Sequence, residues 1–278
     1  MKSISISTNK GYAVSATVYE GEGDLVLIIS SATGVKQGFY SSFSDYLQSF
    51  GVTVITFDYH GIGHSLNSPI EKLSTRLSDW GMYDLDAVIQ FAKSNYSLAK
   101  ITLLGHSIGG QLVGFSRSSF QLDRIILVAS QSGYWNHWEG MDKLKMWIYW
   151  HVIFPSLSSF FNYFPSKSLS KMENLPKQVA MQWSSWGRSS HYFYSEFPEE
   201  GLFFKSIESK ITSISIEGDD LAPKLGVEWL TSQFSNAKIK RIHFEPKDFG
   251  VKEIGHFGMF RNEFQDNFWK IILAEALD

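Results

Sequence analysis

The chain has no cysteine among its 278 residues. That excludes disulfides, thiolate metal sites and a cysteine nucleophile. It has no excess of either charge, since 25 basic and 28 acidic residues leave a formal net charge of −3. Without a basic footprint, nucleic acid is not an expected partner. It also has no long hydrophobic run. The longest, Met146–Phe154, is interrupted by His151, and a bilayer span needs ~20 residues, so no transmembrane segment is expected. The opening MKSISISTNKGY lacks an apolar stretch of the signal-peptide kind, which makes a cytoplasmic location the default expectation. No repeat, low-complexity tract or flexible linker divides the chain. No histidine pair stands beside a carboxylate at metal-ligand spacing, so neither a metal nor a cofactor is expected.

What is present has a clear rhythm. Ser3–Thr8 and Tyr12–Tyr19 alternate apolar and small polar residues and predict an opening antiparallel pair of strands. Leu25–Ser30, Val52–Phe57, Ile101–Leu104 and Arg124–Val128 are continuous apolar or β-branched runs, the pattern of strands buried on both faces. Helical spacing fills the intervals at Tyr40–Phe50 and Trp80–Ala92. Strand and helix in alternation imply a mostly parallel sheet flanked by helices. The rhythm breaks over residues 133–205, which hold six of the nine tryptophans. It resumes with strands at Ile211–Ile216 and Lys240–Phe244, a helix near Val227–Phe234 and a last amphipathic helix over Gln265–Leu277. The expected organisation is one α/β core, residues 1–132 and 206–278, with an aromatic-rich helical cap, 133–205, inserted after the sixth strand.

The chemistry centres on Gly105-His106-Ser107-Ile108-Gly109. A serine at the tip of a sharp strand-to-helix turn needs neighbours with almost no side chain two positions away. The helix beginning after it offers free N–H groups to an oxyanion. A serine hydroxyl becomes nucleophilic only when a base takes its proton and an acid orients that base. In chain order the acid follows a late strand, where Asp219 and Asp220 stand together. Asp219 is the better placed, with Asp220 as the alternative. The base is His256, set in a loop between Gly255 and Gly258. The oxyanion donors expected are the N–H of Ile108 and that of Ala32 or Thr33 in the loop after Leu25–Ser30. His106, Trp135, Trp138, Trp183 and Trp186 are expected to line a substrate pocket.

These segments together resemble the α/β-hydrolases over essentially the whole chain. More narrowly, the chain is similar to a group of bacterial serine α/β-hydrolases related to the lysophospholipase and monoacylglycerol-lipase-like branch. The matching residues are Ala32-Thr33-Gly34-Val35 with Phe39-Tyr40, Phe57–Ser65, the elbow, Trp183, Trp186 and Arg188, and Gly255–Arg261. His60 stands where that group usually carries arginine, and the loop after Ser30 lacks the His-Gly of typical lipases. The resemblance implies a fold and an acyl-enzyme mechanism. The expected function is hydrolysis of a carboxylic ester, thioester or lactone bearing an apolar group, so the expected partner is a small molecule. Acyl transfer or peptide cleavage by the same residues is the alternative within the enzymes. A non-catalytic ligand-binding protein is the alternative of another class. Composition leaves the oligomeric state open.

Overall fold

A computed structural model describes residues 1–170 and 172–278. Eight strands form one sheet: β1 (Lys2–Ser7), β2 (Ala13–Tyr19), β3 (Leu25–Ser30), β4 (Thr53–Phe57), β5 (Lys100–His106), β6 (Arg124–Val128), β7 (Lys210–Ile216) and β8 (Lys238–Phe244). Their spatial order is β1-β2-β4-β3-β5-β6-β7-β8. The apolar runs take the centre, and every residue of β3, β4 and β6 is buried. The polar-alternating β1 and β8 take the edges, where charged side chains blunt further pairing. β1–β2 and β2–β4 pair antiparallel, and all other neighbours run parallel. This is the mostly parallel sheet that the strand pattern predicts, in the α/β-hydrolase architecture that the resemblance implies.

The topology fixes where a site can form. From β3 the chain crosses outward to β4, then returns to place β5 on the other side of β3. The loops after β3 and β5 therefore part at the C-terminal ends of adjacent parallel strands, in register from Leu25↔Lys100 to Ser30↔Gly105. Such a switch point opens a crevice that loops can line.

One face of the sheet is covered by α1 (Ser41–Ser49) and the C-terminal helix, which runs over Phe268–Leu277. Phe43 and Tyr46 of α1 pack on Trp269 with ring centroids 5.4 and 5.3 Å apart. The other face is covered by α2 (Asp86–Asn95) and by aromatic residues from the 133–205 stretch, Trp186 stacking on Phe115 at 5.4 Å. That stretch contains α4 (Gly140–Ile148), α5 (Phe154–Phe161), a two-residue ribbon of Tyr163–Phe164 with Leu175–Pro176, and α6 (Lys177–Arg188). Among the described residues, no helix is long and apolar enough to cross a membrane.

Two elements depart from the sequence pattern. The helix after the elbow, α3 (Ile108–Gln111), tightens to a 3₁₀ turn over Leu112–Phe115. Leu112, Val113 and Phe115 of that turn are buried, and the Gly114 carbonyl accepts from the Phe203 N–H at 2.7 Å, outside the helical ladder. The expected helix from Trp80 opens instead as a π turn, Trp80–Leu85, before α2 begins. π turns concentrate at special sites, and this one carries Asp84.

Asp84 is fully buried and accepts from the Tyr12 hydroxyl at 2.6 Å and the His60 N–H at 2.8 Å. His60 stacks on Tyr12 at 3.8 Å, and burial holds its imidazole below the ordinary value. Burial outweighs these hydrogen bonds and pushes the Asp84 carboxyl from 3.8 up to about 7. A raised acid keeps its proton in the fold while the unfolded chain loses it, so this group's stabilisation is lost as pH rises from about 4 to 7. The effect is on the order of 4 kcal/mol. In thermal melts, wild type should lose stability relative to Asp84→Asn as pH rises from 5 to 8. A constant gap across that range would contradict the account.

Candidate active site

Ser107 follows the last residue of β5 and precedes α3 (Ile108–Gln111). Its backbone sits at φ 55 and ψ −120, a left-handed conformation that a non-glycine residue adopts only when its surroundings force it. The glycines supply the room. A Cβ on Gly105 would stand 2.6 Å from the Gly110 Cα, and one on Gly109 would collide with the Ser30 carbonyl oxygen. Ser30 also binds the Gly109 carbonyl through its hydroxyl at 3.1 Å, which ties β3 to the elbow.

The structure brings Asp219 and His256 together. Asp219 follows β7 and the positive-φ Gly218, and His256 lies in the single helical turn Gly255–Gly258. The His256 Nδ1–H donates to both oxygens of Asp219, at 2.8 and 3.1 Å. Asp219 is buried and also accepts the N–H groups of Leu221 and Ala222 at 2.9 and 3.0 Å. Asp220 is exposed, and its carbonyl accepts from the Trp138 indole at 2.7 Å. Of the two adjacent acids, only Asp219 is paired with His256. Ser107 and His256 line the same cavity.

That cavity measures about 750 Å³. Its apolar wall is built by Met146, Tyr149, Trp150, Phe154, Phe164 and Trp183, with the loop Ala32–Val35 opposite. Of the five expected pocket residues, Trp138 and Trp183 line it and the other three do not. Trp186 is fully buried against Phe115, because α6 turns that face onto the sheet. Trp135 lies outside with the Lys143 ammonium 5.3 Å from its ring. His106 lies fully buried beneath the site. Tyr149, Trp150 and Phe154, which are not among the expected pocket residues, sit in the longest apolar run, Met146–Phe154. Their signal was its aromatic content.

The two loop donors also separate. The Ala32 N–H already donates to the Tyr40 hydroxyl at 3.1 Å. Thr33 lines the cavity, and its own hydroxyl is buried without a partner among the described residues. Asp58 braces this loop from behind by accepting the Gln37 N–H at 2.7 Å.

At the rim, Glu173 meets Lys167 at 2.7 Å and Lys36 at 3.2 Å. Burial opposes its charge, but the two ammonium groups outweigh that and hold the carboxyl below its ordinary value. Among the described residues no group of three histidines and carboxylates is placed to hold a metal ion.

The family model described as serine aminopeptidase, S33, matches residues 22–181. No match was found among curated protein sequences. Three solved structures are similar over nearly their whole lengths. An esterase from Exiguobacterium antarcticum shares 17% identity, each chain covering 100% of the other, with a TM-score of 0.63. A thermostable carboxyl esterase from Bacillus coagulans shares 12%, over 99% of this chain and 98% of that one, with a TM-score of 0.65. An esterase from Pyrococcus furiosus shares 15%, over 99% and 90%, with a TM-score of 0.63. At such identities the likeness is one of fold.

Proposed function

We propose that this chain, which belongs to the serine aminopeptidase S33 family of α/β-hydrolases, cleaves a carboxylic ester, thioester or lactone with an apolar moiety through an acyl-enzyme. The observation that carries the proposal is the buried Asp219–His256 pair opening onto a cavity shared with Ser107. In this reading Ser107 attacks the carbonyl carbon while the His256 Nε2 takes the hydroxyl proton. Asp219 holds the ring with Nδ1–H inward and faces the imidazolium that forms. The N–H groups of Ile108 and Thr33 receive the oxyanion. His256 then returns the proton to the leaving oxygen, or to the sulfur of a thioester, and water releases the acid by the same route. Residues 133–205 act as a cap whose inner wall takes the apolar group.

The family's name raises a second reading, removal of an N-terminal amino acid. That chemistry needs an unpaired carboxylate to receive the substrate's ammonium. Of the carboxylates lining the cavity, Glu173 is answered by two lysines and Asp142 faces Lys145 at 3.8 Å, which leaves Asp220 as the one without an ion pair among the described residues. The apolar wall fits an acyl or alkyl chain better. Acyl transfer to an acceptor other than water would use the same first half-reaction.

The test is turnover of p-nitrophenyl esters from acetate to palmitate beside an aminoacyl p-nitroanilide. Specificity should climb from acetate by up to about fourfold per methylene until the cavity fills. Trp183→Ala should move the optimum to longer chains. Faster cleavage of the anilide, or no ester turnover at all, would sink the esterase reading.

A further inference from the structure

Behind the proposed triad runs a chain of hydrogen bonds through His106 and Tyr40, neither of which lines the cavity. The His106 Nε2 lies 2.9 Å from the main-chain oxygen of His256. The His106 Nδ1 lies 2.8 Å from the Tyr40 hydroxyl, which in turn lies 3.1 Å from the Ala32 nitrogen. The two ends dictate every proton between them. A carbonyl oxygen can only accept, so His106 carries its proton on Nε2. A main-chain N–H can only donate, so the Tyr40 oxygen accepts from Ala32 and sends its own proton to Nδ1. The order has no second solution with a neutral ring.

The surroundings keep the ring in that form. His106 and Tyr40 are both fully buried, and Phe260 packs against each, at 4.8 and 5.0 Å. Burial, then the neighbouring His256, holds the His106 imidazole well below its ordinary value. A second proton would leave the Tyr40 O–H with no acceptor in a dry place, the costly outcome for a buried donor.

We propose that His106 and Tyr40 are positioning residues that lock the His256 loop to the Ala32–Thr33 loop, fixing the distance between the base and the oxyanion donors across Ser107. The proposal rests on the reading of Ser107 and His256 given above. Asp219 grips the His256 ring from one side, and His106 grips its backbone from beneath, so the ring is held at two points. Because His106 is the residue before Ser107, the same short stretch places the nucleophile and anchors the base. Loop positions then move together or not at all.

The test has two parts. In ¹⁵N-histidine-labelled wild type, long-range ¹H–¹⁵N spectra should show His106 neutral with its proton on Nε2 at pH 7. A proton on Nδ1, or a charged ring, overturns the network. The second part is the rate of fluorophosphonate labelling at Ser107, with kcat and KM on a p-nitrophenyl ester. His106→Phe keeps a ring and loses both bonds, so labelling and kcat should fall about 100-fold, the penalty for a site displaced by about an ångström. KM should stay within about twofold. His106→Gln regains an amide that reaches the His256 carbonyl and should recover most of that loss. Tyr40→Phe, missing one oxygen, should fall about tenfold. Wild-type rates in His106→Phe overturn the proposal. So do losses that follow the melting temperature, with Gln no better than Phe. If wild type itself does not label, the serine hydrolase reading falls and the positioning role falls with it, while the tautomer still reports whether the network exists.

Discussion

Asp219→Asn is expected to lower kcat by about 10⁴-fold, and Asp220→Asn to leave it within about threefold. The two acids are neighbours in sequence, yet the difference between them is large. The Asp219 oxygens accept the His256 Nδ1–H at 2.8 and 3.1 Å, and Asp220 is exposed with only its main-chain oxygen engaged. An amide at 219 turns a donor toward Nδ1, so the ring adopts the tautomer with Nε2–H, and the atom facing Ser107 can no longer take a proton. The amide oxygen still accepts the Leu221 and Ala222 N–H groups, so the fold should survive, and a melt on the same sample checks this. Equal losses in the two variants, or a larger loss at 220, would move the acid and break the proposed triad.

The second large effect is on folding. Gly109→Ala should cost about 4 kcal/mol or more, in the range of severe backbone clashes. The added Cβ would occupy the position of the Ser30 carbonyl oxygen, part of the β3 backbone. Neither partner can retreat. β3 is buried between β4 and β5, and the Ser30 hydroxyl is bound to the Gly109 carbonyl and the Tyr59 hydroxyl. Gly38→Ala is the control, because no atom lies within 4 Å of its Cβ position. It should be neutral or gain a few tenths of a kcal/mol. Melting temperature and soluble yield report both variants. A Gly109→Ala protein as stable as wild type would contradict the elbow packing.

Much of this was legible in the chain. Apolar runs such as Leu25–Ser30 and Arg124–Val128 mark central strands because a strand covered on both faces has no use for polar residues. Glycines flanking Ser107 and the Asp219–His256 spacing announce chemistry that few other patterns share. What sequence period does not carry is the far partner. Trp186 and Trp183 are three residues apart on α6, yet one stacks on Phe115 and the other faces the cavity. Only the docking of α6 on the sheet decides which. His106 reads as a pocket residue because the elbow is near the ligand. Its side chain turns instead toward Tyr40 and the His256 carbonyl, contacts made across 66 and 150 positions of chain. The Gly114 carbonyl, in the turn after α3, is likewise taken by the remote Phe203 N–H.

The central claim is that Ser107 is the atom that takes the acyl group. The direct measurement is intact mass and peptide mapping after a fluorophosphonate probe, on wild type and Ser107→Ala in parallel. The account predicts one adduct per chain, located on the peptide containing Ser107, and none on the alanine variant. An adduct on another residue, an unchanged mass for wild type, or equal labelling of the variant would contradict it.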